Sequence, residues 1–358
     1  MSRLLKGVGI VVLAVLAACV VLAAGIRGGV VSAAWVSRLP LAERLITRWV
    51  PPDAPVAADG AAGLTADERK AAAALGARLD AVVLWSSNRS GNHELYELDL
   101  RRGTLRKLTD HPHVEFFSRY SPDGSQILFL RSQRPWVSFR EMTAWDLYVM
   151  NRDGSNVRRI AVEAYTPSWS PDGRRITFTR RNTVVEVDLA SGAERVIHDG
   201  TQAPTSSEVP EVEPGPDGLL ALSRRGVRNP SVGVADLAAK HYEAISSGRA
   251  CQIAWVPGEK AVYWVDPTGH GGTRIMMRAL GAPEGTVLMD LPGEFSHEYF
   301  PRLSRDGRWL VWGASAGGHE HDRADYEIFV WERGTPWESA VRLTHSPGND
   351  QWPDILIR

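Results

Sequence analysis

Ser121-Pro122-Asp123-Gly124 closes one short apolar strand and opens another, and the same four residues return at Ser170-Pro171-Asp172-Gly173. Weaker copies follow at Gly215-Pro216-Asp217-Gly218, Pro257-Gly258 and Ser304-Arg305-Asp306-Gly307, with glycine-to-glycine spacings of 49, 45, 40 and 49 residues. Proline pre-sets φ at the second turn position, aspartate bonds the backbone ahead of it, and glycine takes the φ > 0 position that returns the chain. Tyr120 and Trp169 precede the turns, while Ile127-Leu128-Phe129 and Ile176-Thr177-Phe178 follow them, in the β-branched and aromatic composition of strands. A second hairpin, Trp145 to Asn151, turn Asp153-Gly154 and Val157 to Ile160, completes a unit whose length is that of a four-stranded propeller blade.

Counting blades predicts how the ring closes. Val82 to Trp85, His93 to Asp99 and Arg106 to Thr109 supply three strands of a first blade without its inner strand. Asp350-Gln351-Trp352-Pro353-Asp354-Ile355 starts a repeat whose remainder never arrives, so residues 349–357 are expected to pair with Val82 to Trp85 and close six blades.

These motifs, together with Asn88-Arg89-Ser90-Gly91, Glu94-Leu95-Tyr96 and the Leu-Thr blade ends at Leu108-Thr109 and Leu343-Thr344, resemble the WD-like repeats of the TolB-type six-bladed propeller family over residues 81–358. The resemblance implies an all-β propeller exported to the bacterial cell envelope. It stops at the propeller. The family's namesake carries an α/β domain ahead of it, and residues 27–80 are too few and too strand-poor for one, so a role in the Tol–Pal complex does not carry over.

Residues 1–26 read as a signal anchor or signal peptide. Arg3 and Lys6 precede Gly7 to Ile26, an uninterrupted small and aliphatic run of bilayer-spanning length. Three fates are open: a retained helix, lipidation at Cys19 of the lipobox-like Leu16-Ala17-Ala18-Cys19, or plain cleavage. Residues 27–80 read as a juxtamembrane tether with short helices. Its first half mixes Trp35, Leu39, Leu45 and Trp49 with Arg38, Arg44 and Arg48, as an interfacial or a solvated helix would. Thr65-Ala66-Asp67-Glu68 predicts a capping box for an alanine-rich helix reaching about Leu79 on the propeller rim. The expected location is the extracytoplasmic, periplasmic side of the inner membrane, as a monomeric propeller.

A net charge of −1 gives no electrostatic footprint for nucleic acid. Cys19 and Cys251 are separated by anchor and blade and form no disulfide framework. The thirteen tryptophans fall mostly on strands and are read as packing between blades.

Candidate chemistry comes from aligning the inner strands on Tyr120, Trp169, Trp255, Leu303 and Ile355. Five residues earlier stand Glu115, Ala164, Ala250, Glu298 and Asp350, so three carboxylates from consecutive blades are expected at one sector of the channel mouth, with His113 and His297 beside two of them. Phe116, Tyr165 and Tyr299 stand one position further in. An acidic and aromatic rim suits a peptide or a glycan; a hydrated acidic rim, with the rings wedged between blades, is the bland reading. Two long loops add candidates. Trp136 and Phe139 lie in the blade-two insertion, and His319, Glu320, His321 and Asp322 in the blade-six loop, where donor types suit a divalent metal but the spacing is that of a solvated polar loop. No metal or cofactor is assigned. Gly313-Ala314-Ser315-Ala316-Gly317 matches a nucleophile elbow literally, yet no strand-to-helix turn surrounds it. Two functions remain: a membrane-anchored, non-catalytic scaffold for a protein, peptide or glycan partner, or a carbohydrate-active hydrolase or lyase using the carboxylates and a histidine.

Overall fold

The structure, a computed structural model, describes residues 63–316, 320–322 and 324–358. The segment read as an anchor, with Cys19, the expected tether up to residue 62, and His319 lie outside the described residues. Among the described residues no helix is long and apolar enough to cross a membrane. The chain divides into a propeller unit, residues 55–316 and 325–358, and a second unit of residues 1–54 and 317–324. Of the latter only 320–322 and 324 are described; there the Ala324 amide donates to the Glu320 carbonyl at 2.7 Å.

Six four-stranded antiparallel sheets form the propeller unit, and their inner strands are Asp350–Ile357 (blade one), Glu115–Tyr120, Tyr165–Trp169, Val212–Pro214, Cys251–Trp255 and His297–Leu303 (blade six). Blade one closes as its sequence requires. Asp350–Ile357 pairs antiparallel with Ala81–Ser87, placing Val83 opposite Ile355 and Leu84 opposite Asp354. A donated strand removes the two edges that an open ring would expose.

All five turn glycines adopt φ between +68° and +77°. In the first turn Ser121 Oγ donates to Asp123 Oδ1 at 2.6 Å, the same oxygen accepts from the Ser125 amide at 3.0 Å, and the Gly124 amide donates to the Ser121 carbonyl at 2.8 Å. A valine at Gly173 meets only Pro122 at 3.3 Å, whereas a Cβ at Gly124 comes within 2.7 Å of Leu356 on the closing strand. Gly173→Val is expected to cost about 1–2 kcal/mol from left-handed strain, and Gly124→Val more, since it also displaces Leu356. Urea denaturation of both variants checks the order; equal midpoints would contradict it.

The core runs between blades. Trp309, Val311 and Ile328 of blade six pack with Val83, Trp85 and Leu98 of blade one; Trp312 and Trp331 pack with Tyr263 and Ile275 of blade five. Helix α1 (Ala66–Gly76) lies over the first of these seams, burying Ala71, Ala72 and Leu75. Its capping box is formed: Glu68 N donates to Thr65 Oγ1 at 3.2 Å and Thr65 N to Glu68 Oε2 at 2.8 Å. It stops short of Leu79 at Gly76, where an added Cβ would lie 2.3 Å from the Leu100 carbonyl oxygen, so only glycine permits this approach.

Candidate functional site

Five of the six inner strands carry the same irregularity. Between Phe116 and Arg119, Tyr165 and Ser168, Cys251 and Ala254, Tyr299 and Arg302, and Gln351 and Asp354, two residues oppose one on the neighbouring strand. The first of each pair is left-handed: Phe117, Thr166, Gln252, Phe300 and Trp352, with φ between +44° and +58°. Such a conformation costs about 1–3 kcal/mol for a non-glycine residue and persists only where surroundings over-determine it. Two features do so. The single residue opposite each bulge is a large aromatic, Phe129, Phe178, Trp264, Trp312 or Trp85. In three bulges the second residue is proline (Pro167, Pro301, Pro353), which has no amide to leave unpaired. The five left-handed side chains, with Glu211 of blade four, line the channel around a space of 40 Å³.

The bulge corrects the expectation for the three carboxylates. Glu115, Glu298 and Asp350 lie before it and are fully buried, held by Arg131, the Leu291 amide and Arg89 respectively. They do not converge on one sector; each sits at its own blade junction. Arg131 holds Glu115 at 2.7 Å, while Thr109 Oγ1 donates to Glu94 Oε2 at 2.8 Å beside it. Burial and the neighbouring Glu115 push the Glu94 carboxyl up to about 7, and burial also raises that of Glu115. The equivalent threonine of blade six, Thr344, donates to Glu327 next to Asp350. The Leu-Thr blade ends are therefore clasps between one blade's third strand and the next blade's inner strand. Glu298 accepts from the Leu291 amide at 2.7 Å, and burial, with Asp290 nearby, raises its carboxyl to about 9.

Asp350 belongs to the ring closure. Its Oδ2 lies 3.4 Å from Arg89 Nη2, which reaches Glu68 Oε1 of α1 at 2.9 Å, and its Oδ1 accepts from Trp85 Nε1 at 3.1 Å. The Arg89 guanidinium sits 5.5 Å from the ring centroids of both Trp85 and Tyr96. All three charged side chains are almost completely excluded from solvent. The Asn88-Arg89-Ser90-Gly91 motif thus ties helix, first blade and closing strand together.

The predicted aromatics separate. Phe116 packs against His93 of blade one at 4.7 Å and Trp145 of its own blade at 5.4 Å; burial drives the His93 imidazole down to about 3. Tyr165 does reach the mouth. Its ring and that of Phe139 lie 5.3 Å and 5.4 Å from Phe117, Phe139 lies 5.1 Å from Trp352, and Trp352 stacks on Phe117 at 3.7 Å and lies tilted against Phe300 at 4.2 Å. Tyr299 adjoins Phe300 at 5.9 Å. Phe117, Phe300 and Trp352 are buried, so this sector of the mouth is sealed. His113 is half-buried with Nδ1 2.7 Å from the Ser132 carbonyl, and His297 is half-buried beside Gly272. Glu320, His321 and Asp322 belong to the second unit. No three His, Cys, Asp or Glu side chains among the described residues are placed to share an ion.

Reasoning from the sequence missed two groupings. One is His270, whose Nδ1 lies 2.8 Å from Asp290 at the junction of blades five and six. The other is the channel core: Arg302 pairs with Glu213 at 2.5 Å, and Arg119 and Asp354 complete the layer. The signal for the second was present, since Arg119, Ser168, Ala254, Arg302 and Asp354 stand one residue before the alignment positions used above.

The family model described as "TolB beta propeller domain" matches residues 79–234. The chain is a six-bladed β-propeller that matches the TolB propeller model over part of its length. The propeller superposes on a putative TolB from Agrobacterium tumefaciens with a TM-score of 0.55 at 13% identity, covering 74% of this chain and 89% of that one. A chain of a nidogen/laminin complex gives 0.55 at 12% identity, covering 77% and 98%. At such identities the likeness concerns the fold alone. An uncharacterized protein of Agrobacterium fabrum is 21% identical over 104 residues, 27% of this chain, and the match spans 36% of that relative's length.

Proposed function

We propose that this propeller is a non-catalytic binding scaffold of the bacterial envelope, held at the extracytoplasmic side of the membrane by residues 7–26, whose protein or peptide partner docks on the blade-two loop. The observation that carries this reading is how the loop is held. Val137 is buried, Phe139 stacks into the mouth cluster, its carbonyl accepts from Tyr165 Oη at 3.0 Å, and Gln133 N donates to the Ala144 carbonyl at 2.9 Å. Met142 stands 39% exposed and Trp136 half-buried on that braced frame. A pre-ordered loop presenting apolar side chains loses little entropy on binding. The alternative, a glycan hydrolase or lyase, draws less support, because acid–base chemistry needs carboxylates that reach substrate and Glu115, Glu298 and Asp350 are buried at separate junctions.

The test is capture of envelope components on the immobilised full chain. A Trp136→Ala/Met142→Ala double variant is expected to weaken capture by about thirtyfold or more, the size of an interface hot spot, with an unchanged melting temperature. Equal capture by variant and wild type would refute the assignment of this loop.

A further inference from the structure

The opposite end of the channel holds a larger space. Below the bulge layer a cavity of 360 Å³ opens between the Ser-Pro-Asp-Gly turns, walled by Trp169, Trp255, Pro122 and Pro171. That volume falls within the range of about 300–1,000 Å³ typical of small-molecule sites. At its head stands Arg119, 8% exposed, whose Nη1 donates to the Ser118 carbonyl at 2.8 Å. Among the described residues its Nε has no hydrogen-bond partner and its guanidinium makes no ion pair. A guanidinium carries five N–H donors in a planar fork suited to two oxygens. This buried guanidinium therefore keeps an unused donor, with Asp354 and Glu213 acting on it only through space.

We propose that this cavity binds a small monocarboxylate with an apolar body, its carboxylate held by Arg119. The charge count selects one negative charge. Arg119, Arg302 and the exposed Arg305 line the space against Glu213 and Asp354, so the lining as a whole carries one positive charge in excess. A single carboxylate neutralises it, whereas a doubly charged phosphate would return an excess of the opposite sign beside the half-buried Glu213 and Asp354. The state of the arginine agrees: burial, with Arg302 adjacent, lowers its pKa to about 9 although Asp354 and Glu213 act to raise it, so the carboxylates present compensate its burial only in part. Arg302 differs because Glu213 and Asp354 outweigh its burial and hold its pKa above the ordinary value. The walls choose the body. Both indole nitrogens are already committed, Trp169 Nε1 to the Arg119 carbonyl at 3.3 Å and Trp255 Nε1 to the Glu213 carbonyl at 3.1 Å, so neither is left to donate to a polar ligand body.

Calorimetric titration of the full chain with benzoate, benzyl alcohol and inorganic phosphate separates the possibilities. Benzoate is expected to bind saturably and the other two not. Arg119→Gln, which keeps a donor but removes the charge, is expected to weaken benzoate by about ten- to a hundredfold. Should that variant fail to fold, Ser168→Phe, which fills the cavity from the blade-three side, is expected to abolish binding. The proposal is overturned if benzoate gives no saturable heat, if benzyl alcohol or phosphate binds as tightly, or if both folded variants bind benzoate like wild type.

Discussion

Replacing Arg89 with methionine is expected to lower the unfolding free energy of the full chain by about 3–5 kcal/mol. Methionine keeps an apolar stem against Trp85 and Tyr96 but strands Glu68 and Asp350, both within 3.4 Å of the lost guanidinium and neither open to water. Removing one member of a buried ion group is costly because the remaining charge must be desolvated alone or protonated; removing the charges together is far cheaper. The triple change Arg89→Met, Glu68→Gln and Asp350→Asn should therefore recover most of the loss. Urea denaturation of the single and triple variants supplies the measurement. A single-variant loss under about 1 kcal/mol, the range of exposed pairs, would show that this clasp does not secure the ring.

Deleting residues 349–358 is expected to abolish cooperative folding altogether. The deletion leaves Ala81–Ser87, a fully buried seven-residue strand, as an open edge, and removes the Trp352 ring from its contacts with Phe117 and Phe300. Loss of a buried tryptophan alone costs about 3–5 kcal/mol, and the closing strand also carries the Asp350 contacts and Ile355. Together these approach the whole stability of a domain, about 5–15 kcal/mol. The truncated protein should elute as soluble aggregate or partition into inclusion bodies, since exposed apolar edges pair with one another. A monomeric product that melts at the wild-type temperature would show that blade one stands without its donated strand.

These two expectations differ in how far they could be read from the chain. The donated strand was legible, because Asp350 to Ile355 repeats an inner-strand pattern and blade one lacks that strand. Blade number, turn geometry, the capping box at Thr65 and the packing role of the tryptophans were legible for the same reason: each rests on residues close in sequence or on a period. The role of Arg89 was not. Its partners lie 21 and 261 residues away and meet only after the ring has closed.

The candidate site shows the same division in one strand. The alignment correctly found equivalent positions, but assigning Glu115, Glu298 and Asp350 to the channel assumed an unbroken two-residue alternation of faces. A bulge with a left-handed first residue interrupts it, so Phe117, Phe300 and Trp352 line the channel, as do Arg119, Arg302 and Asp354, while the acids turn into the blade junctions. Sequence by itself determined the repeat, the turns and the closure, because proline, aspartate and glycine set backbone angles locally. Which side chains meet in the channel was decided only in the tertiary structure, where six inner strands converge and a single inserted residue in five of them reverses which way the following side chains face.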